Sequence, residues 1–192
     1  GHGGPAKKGP PMALIAGNGV IFKPASLTCL IGQMIQEIFD EAGLPEGLLR
    51  TVHGGGRVGQ AMVDDPKVGK IFFTGSVEVG RKIAEGCATQ LKGATLELGG
   101  KDPMIVLSDA NLSHAVSGAA WGGFANMGQT CAGIERVYVM HDVALEFLDH
   151  ALARAKSMEL RDATDGSTEF SALPAPNQFK IVFELVEDAV AH

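Results

Sequence analysis

The 192 residues hold one tryptophan, one tyrosine and three cysteines, and nowhere do they stay apolar for the roughly 18 positions that a membrane span requires. The N-terminus also lacks the charged-then-apolar order of a secretory signal, so neither spanning nor export is indicated and a soluble, cytoplasmic protein is the expectation. Basic residues are the scarcer charge, 16 against 22 acidic, for a net charge of −6. They are scattered, with no basic stripe and no interleaved aromatics, which argues against a nucleic-acid partner. Cys29, Cys87 and Cys131 are odd in number and far apart, and their spacing suits neither a disulfide framework nor a metal. Cys29 and Cys87 sit in or after helical runs and read as small core residues. The histidines at 2, 53, 114, 141, 150 and 192 show no metal or triad spacing and read as surface residues.

What is present is an ordinary globular composition, 45% hydrophobic and 20% charged, with 26 glycines that punctuate short β-rich and helical runs. Residues 1–11 are dense in Gly and Pro, without hydrophobic period, and read as a disordered arm or an expression remnant. From Met12 the pattern alternates. Val20–Phe22 reads as a strand, followed by a helix capped by Ser26 with apolar positions 27, 30, 31, 34, 35 and 38, ended by Gly43 and Pro45. Leu48–Val52 is a strand, 57–64 a short helix, 70–73 a strand and 76–88 a capped helix. Residues 94–98 and 104–107 follow as strands, 112–126 as a small-residue helix, 135–140 as a strand, and 142–158 and 178–192 as helices. Residues 161–176 read as a polar loop, and no internal repeat is found. This βαβα rhythm predicts an α/β fold, a parallel sheet with helices on both faces.

Three strand-to-helix junctions carry polar or glycine-rich chemistry. Gly54-Gly55-Gly56-Arg57-Val58-Gly59 fits G-x-G-x-x-G after a strand, yet no acidic residue closes the next strand, and a plain glycine turn fits equally. Gly75-Ser76 joins a strand to a helix whose free N–H groups and dipole suit a phosphate, although on spacing alone a simple Ser76 N-cap is the stronger reading. Lys23 leaves a strand where a parallel sheet meets ligand and could bond ribose or phosphate, whereas a lysine at a strand end is usually only solvated.

Two further residues suggest covalent chemistry. Cys131 lies in Phe124-Ala-Asn-Met-Gly-Gln-Thr-Cys131-Ala-Gly, where glycines and alanine leave room for a ligand and a turn can offer N–H groups to thiolate and oxyanion. The alternative is a buried, inert thiol. Glu97, between Leu96 and Leu98 and ahead of two glycines, is a strand-end carboxylate whose apolar flanks suit a general base; without Cys131 it would read as an outward-facing strand residue. A thiolate that attacks a carbonyl carbon and a carboxylate that activates water together sketch aldehyde oxidation through an acyl-enzyme.

Taken together and in order, Ile21-Phe-Lys23-Pro-Ala-Ser26, Phe73-Thr-Gly-Ser76, Leu96-Glu97-Leu-Gly-Gly-Lys101 and Phe124–Cys131 resemble the aldehyde dehydrogenase superfamily over roughly 12–192. The resemblance implies an incomplete aldehyde dehydrogenase fold: a partial Rossmann-like dinucleotide-binding domain over 12–110 and the start of a catalytic domain over 111–192. It further implies that Cys131 is the nucleophile and Glu97 the base, that Lys23 and Ser26 lie at the adenosine ribose, Gly75 and Ser76 at the pyrophosphate, and Leu98 at the nicotinamide. Serine at 26, where many NAD-preferring relatives hold glutamate, removes a like-charge barrier to a 2′-phosphate and implies NAD or NADP use, as in relatives similar to succinate-semialdehyde dehydrogenases. The family's asparagine oxyanion donor, its first cofactor strand, its Glu-x-Phe-Gly-Pro segment and its subunit hairpin are not found in the chain. A fragment of doubtful activity is therefore expected, acting on a small aldehyde and forming a homo-oligomer or self-associating through uncovered apolar faces. Two alternatives stand beside it: a non-catalytic nucleotide-binding or interaction domain, and a cysteine esterase or acyl-transfer enzyme.

Overall fold

Glycines 99 and 100 mark the division of the chain into two compact units, one running to Gly99 and the other from Gly100. The computed structural model describes residues 10–162, 164, 166, 170–173 and 175–192. Most of the arm expected at 1–11 lies outside these; its described residues 10 and 11 belong to a helix over 10–15 (α1).

In the first unit, strands and helices alternate as β1 (Val20–Phe22), α2 (Cys29–Glu41), β2 (Leu49–Thr51), α3 (Gly56–Asp64), β3 (Lys70–Thr74), α4 (Val77–Thr89) and β4 (Gly93–Glu97). Every strand pairing is parallel, as the βαβ rhythm requires, and the strands form the two-stranded pairs β1–β2 and β3–β4. Val63, Ile71 and Cys87 are buried together, with Val68, Phe73 and Ile83 packed around them, which fixes α3 and α4 against β3. Each such buried side chain contributes about 1.5–3 kcal/mol relative to exposure. Cys87 is thus a core residue, as read from the sequence.

Helix α2 corrects the sequence in two ways. Ser26 is not its cap: Ser26–Thr28 form a 3₁₀ turn, and the Thr28 N–H and hydroxyl both donate to the Ala25 carbonyl, so the turn closes on backbone and Ser26 has no capping role. Its apolar stripe is also uncovered, with Leu30 76% and Ile38 60% exposed, and Cys29 is only partly buried. Beside the half-buried Ile35 and Phe39, α2 makes two close polar or small-residue contacts. Gln36 Oε1 accepts from the Thr51 N–H at 2.8 Å, occupying a donor of β2. Buried Gly32 lies against the Pro24 ring. The helix ends in a Schellman arrangement: Gly43 at φ +80° donates to Asp40 O, and Leu44 donates to Phe39 O.

The second unit holds β5 (Asp102–Val106), α5 (Leu112–Phe124), a short 3₁₀-like turn (Ala125–Gly128), β6 (Ile134–Val139), α6 (Ala144–Lys156) and α7 (Pro176–Ala191). β5 and β6 pair in parallel, with a bulge that leaves Glu135 without a partner between Asp102↔Ile134 and Pro103↔Arg136. Val106, Val116 and Phe147 form the core between this pair and helices α5 and α6. In the stretch read as a polar loop, Phe170 forms a bridge with Leu160 just before it, and Pro176 takes the first-turn position of α7. No helix among the described residues is long and apolar enough to cross a membrane.

Candidate active site

In the first unit, the residues read as cofactor contacts stand at the carboxyl ends of the strands. Lys23 follows β1 and is half-buried; its ammonium donates to Pro24 O at 3.0 Å and to Gly54 O at 3.1 Å. An ammonium has three protons, so one is left for a ligand. These contacts give the glycine triplet a structural role, because Gly54 turns the chain from β2 into α3 and presents a carbonyl to Lys23. Ser26 is exposed on the 3₁₀ turn.

Ser76 caps α4, its hydroxyl accepting from the Val79 N–H at 3.3 Å, so the plain N-cap reading holds. Among the described residues the N–H groups of Val77 and Glu78 have no protein acceptor, which leaves them open beside Gly75. The acidic Glu78 in this first turn is paired to Lys82 at 2.7 Å, and that partner holds its carboxyl below the usual carboxylate range. A phosphate at this helix end would thus meet a neutralised neighbour. The Gly75 N–H donates to Glu97 O at 3.1 Å, tying the two strand ends together. Leu98 packs on Gly80 so closely that a Cβ there would lie 2.6 Å from Cδ2, so the leucine rests on the first turns of α4. A spare lysine proton and a free helix N-terminus beside glycine are the donors that a dinucleotide diphosphate needs. Glu97 ends β4 with its side chain exposed, so the apolar enclosure expected of its leucine flanks is not supplied within this unit.

In the second unit, Cys131 is exposed on a turn closed by the Gly133 N–H donating to Thr130 O at 3.1 Å. The burial on which the inert reading rested is therefore absent. Among the described residues the Cys131 N–H has no acceptor and its sulfur no hydrogen-bond partner. The chain reaches the turn through three left-handed residues in succession, Asn126 (φ 53°), Met127 (φ 56°) and Gly128 (φ 71°). For the two non-glycine residues this costs on the order of 1–2 kcal/mol each. It also ends α5 at Phe124, before the Asn126 expected from sequence. Small residues make the close packing under the turn. A Cβ on Gly122 would stand 2.4 Å from Ile134 Cδ1, one on Gly128 3.2 Å from Gly123 O, and one on Gly133 3.2 Å from Thr130 O.

A second set of contacts was not read from the sequence. Lys101 pairs with the bulged Glu135, and the Arg136 guanidinium grips the Lys101 carbonyl with two N–H groups, at 2.7 and 3.1 Å. This bracket ties the strand after Gly99-Gly100 to the strand after Cys131. Its only signal was charge alternation at the start of β6. The described histidines are all exposed, and no group of three metal-ligating side chains occurs among the described residues.

Parallel strands alternating with helices, with open N–H donors at strand ends in the first unit and an exposed thiol on a glycine-built turn in the second, place the chain in the class of α/β proteins with Rossmann-like parallel pairing. The particular family is given by comparison: residues 7–192 match the aldehyde dehydrogenase family, and the chain belongs to it. It is similar to a betaine aldehyde dehydrogenase of Rhizobium etli, 42% identical over 96% of this chain and 38% of that protein. Among solved structures it superposes on an aldehyde dehydrogenase from Brucella melitensis biovar abortus with a TM-score of 0.93 and 35% identity, covering 97% of this chain and 39% of that one. It also matches PnpE in complex with nicotinamide adenine dinucleotide, with a TM-score of 0.91 and 41% identity, covering 96% and 38%. The chain thus spans well under half the length of the relatives it matches.

Proposed function

We propose that this chain carries the nucleophile, the general base and part of the cofactor site of an NAD- or NADP-dependent aldehyde dehydrogenase, the first unit serving the dinucleotide and the second opening the catalytic domain. The observation that carries the reading is the exposed thiol of Cys131 beside its own uncommitted N–H, in a chain that belongs to this family. The Cys131 thiolate attacks the aldehyde carbonyl carbon to give a thiohemiacetal, to whose oxyanion the Cys131 N–H donates. A bound NAD(P)+ supplies the hydride acceptor that turns this adduct into a thioester. Glu97 then takes a proton from water, the hydroxide attacks the thioester carbon, and the carboxylic acid leaves as the thiolate is restored. Lys23 and Ser26 bind the adenosine ribose, the α4 N-terminus at Gly75 and Ser76 the diphosphate, and Leu98 backs the nicotinamide.

The name of the Rhizobium relative suggests a cationic aldehyde as substrate, and the neutral Ser26 is compatible with either cofactor. A cytoplasmic setting and self-association through the uncovered faces of α2 and α7 belong to the same proposal. The test incubates the purified chain with NAD or NADP and with betaine aldehyde, succinate semialdehyde or acetaldehyde, following reduced nicotinamide. Turnover that vanishes in Cys131→Ala supports the proposal. A second reading, a nucleotide-binding domain without turnover, is favoured by the exposed carboxylate of Glu97, which its own unit does not enclose. Cofactor binding with no aldehyde oxidation would select it.

A further inference from the structure

We infer that Asn126 is a positioning residue for Cys131, acting through the left-handed backbone it shares with Met127; this rests on Cys131 being the nucleophile. Two adjacent non-glycine residues in the left-handed region are rare, and such conformations persist only where surrounding contacts over-determine them. Here the contacts form a closed ring just before the thiol. The Asn126 amide donates to Gln129 O at 3.0 Å, the Gln129 N–H donates to Asn126 O at 3.1 Å, and the Gln129 amide reaches the same oxygen at 3.4 Å. The Thr130 hydroxyl then returns to Ala125 O at 3.4 Å. Gly128 completes the reversal at φ 71°, with a Cβ there standing 3.2 Å from Gly123 O.

Asparagine is the residue suited to this place. Its short amide tolerates the left-handed region better than other non-glycine side chains and bonds the local backbone at the same time. Met127 has no such excuse: its conformation is imposed, and among the described residues its side chain meets one hydrogen-bond donor, the Ser171 hydroxyl at 3.8 Å from its sulfur. The ring fixes the Gln129 carbonyl and hence the direction in which Thr130 and Cys131 leave it. The N–H and thiol of Cys131 are thereby aimed by Asn126, which touches neither.

The experiment measures site-resolved alkylation of the purified chain by iodoacetamide at neutral pH, with Cys29 as internal control. Thiolate reactivity depends on the N–H groups and dipoles of the turn around the sulfur, so Asn126→Ala, by loosening that turn, should slow alkylation at Cys131 by about tenfold while Cys29 keeps its rate. Met127→Gly, which accepts the same backbone freely, should stay within about twofold of wild type. Asn126→Gly keeps the conformation and loses the amide; it should fall between, and it carries the test if Asn126→Ala does not fold. Wild-type alkylation in either Asn126 variant would overturn the inference, as would a Met127→Gly rate as low as that of Asn126→Ala. Where aldehyde turnover is found, the Asn126 variants should lower kcat with KM little changed. Absence of turnover in the wild type would count against the enzymatic reading alone, because the alkylation comparison needs no aldehyde.

Discussion

Replacing Gly32 with alanine sets two known effects against each other at a place where the structure decides the sign. Gly32 is buried inside α2, where alanine in free helix would be favoured by about 1 kcal/mol. Its new Cβ would stand 2.4 Å from Pro24 Cγ and 2.5 Å from Pro24 Cβ. Carbon contacts relax at about 3.5–4.0 Å, so helix and proline must part by roughly 1 Å or more. A pyrrolidine ring has no rotamer with which to yield. Overpacking of this kind costs typically about 1–3 kcal/mol, so the balance is a loss of about 0–2 kcal/mol, with Pro24 and the adjoining Lys23 displaced. Urea unfolding of Gly32→Ala, Pro24→Gly and the double variant measures it. In the Pro24→Gly background the alanine should become stabilising by about 1 kcal/mol, and the coupling between the two sites should exceed about 1 kcal/mol. If Gly32→Ala alone stabilises the chain by the full helix-propensity gain, α2 and the Pro24 ring are not in contact and the reasoning is refuted.

Lys92 donates to Val63 O at 2.7 Å and Asp65 O at 2.8 Å, closing the C-terminal end of α3 with a cation; Lys92→Met should cost about 1–2 kcal/mol in thermal or urea unfolding. Lys82 holds the Glu78 carboxyl below its ordinary value of 4.5, so whatever this pair contributes is present at neutral pH and is lost as acid protonates Glu78. Both groups are fully exposed, so Lys82→Met should leave the melting temperature at pH 7 nearly unchanged and alter only the limb below pH 4.5, read by a pH series of melts. Ser26→Glu places a carboxylate where the proposed 2′-phosphate would sit. It should weaken NADP binding by roughly tenfold or more while sparing NAD, by calorimetric titration; equal loss of both would remove Ser26 from the ribose site.

The rhythm of strands and helices was legible because apolar periods and their glycine, proline and serine boundaries are local. Val20–Phe22 is a strand at the residues expected, and Ser76 caps α4 as its position before an amphipathic run requires. Boundaries slipped where a residue's usual preference was overruled. Pro103 disguised the start of β5, although its missing N–H does not prevent pairing with Arg136 after the bulge. Met127 gave no sign of its left-handed backbone, since nothing in a methionine favours it; only the glycines nearby hinted at a reversal. Ser26 read as a cap because serine usually is one, but Pro24-Ala25 presents a carbonyl that the 3₁₀ turn uses instead. Cys131 and Glu97 were nameable as candidates from type and flanks, and the structure adds that both are exposed. The Lys101–Glu135–Arg136 bracket was not, because it joins residues far apart in sequence.

In each of the two parallel pairs of the first unit, everything with chemical promise leaves from the strand tops, and the returning links at 42–48, 65–69 and 90–92 enter from below. Those undersides are therefore the places to graft a label, a tether or an affinity handle. Gly47 and Gly69 face open space, so an insertion there would meet no neighbour and would leave the rim at the strand tops undisturbed.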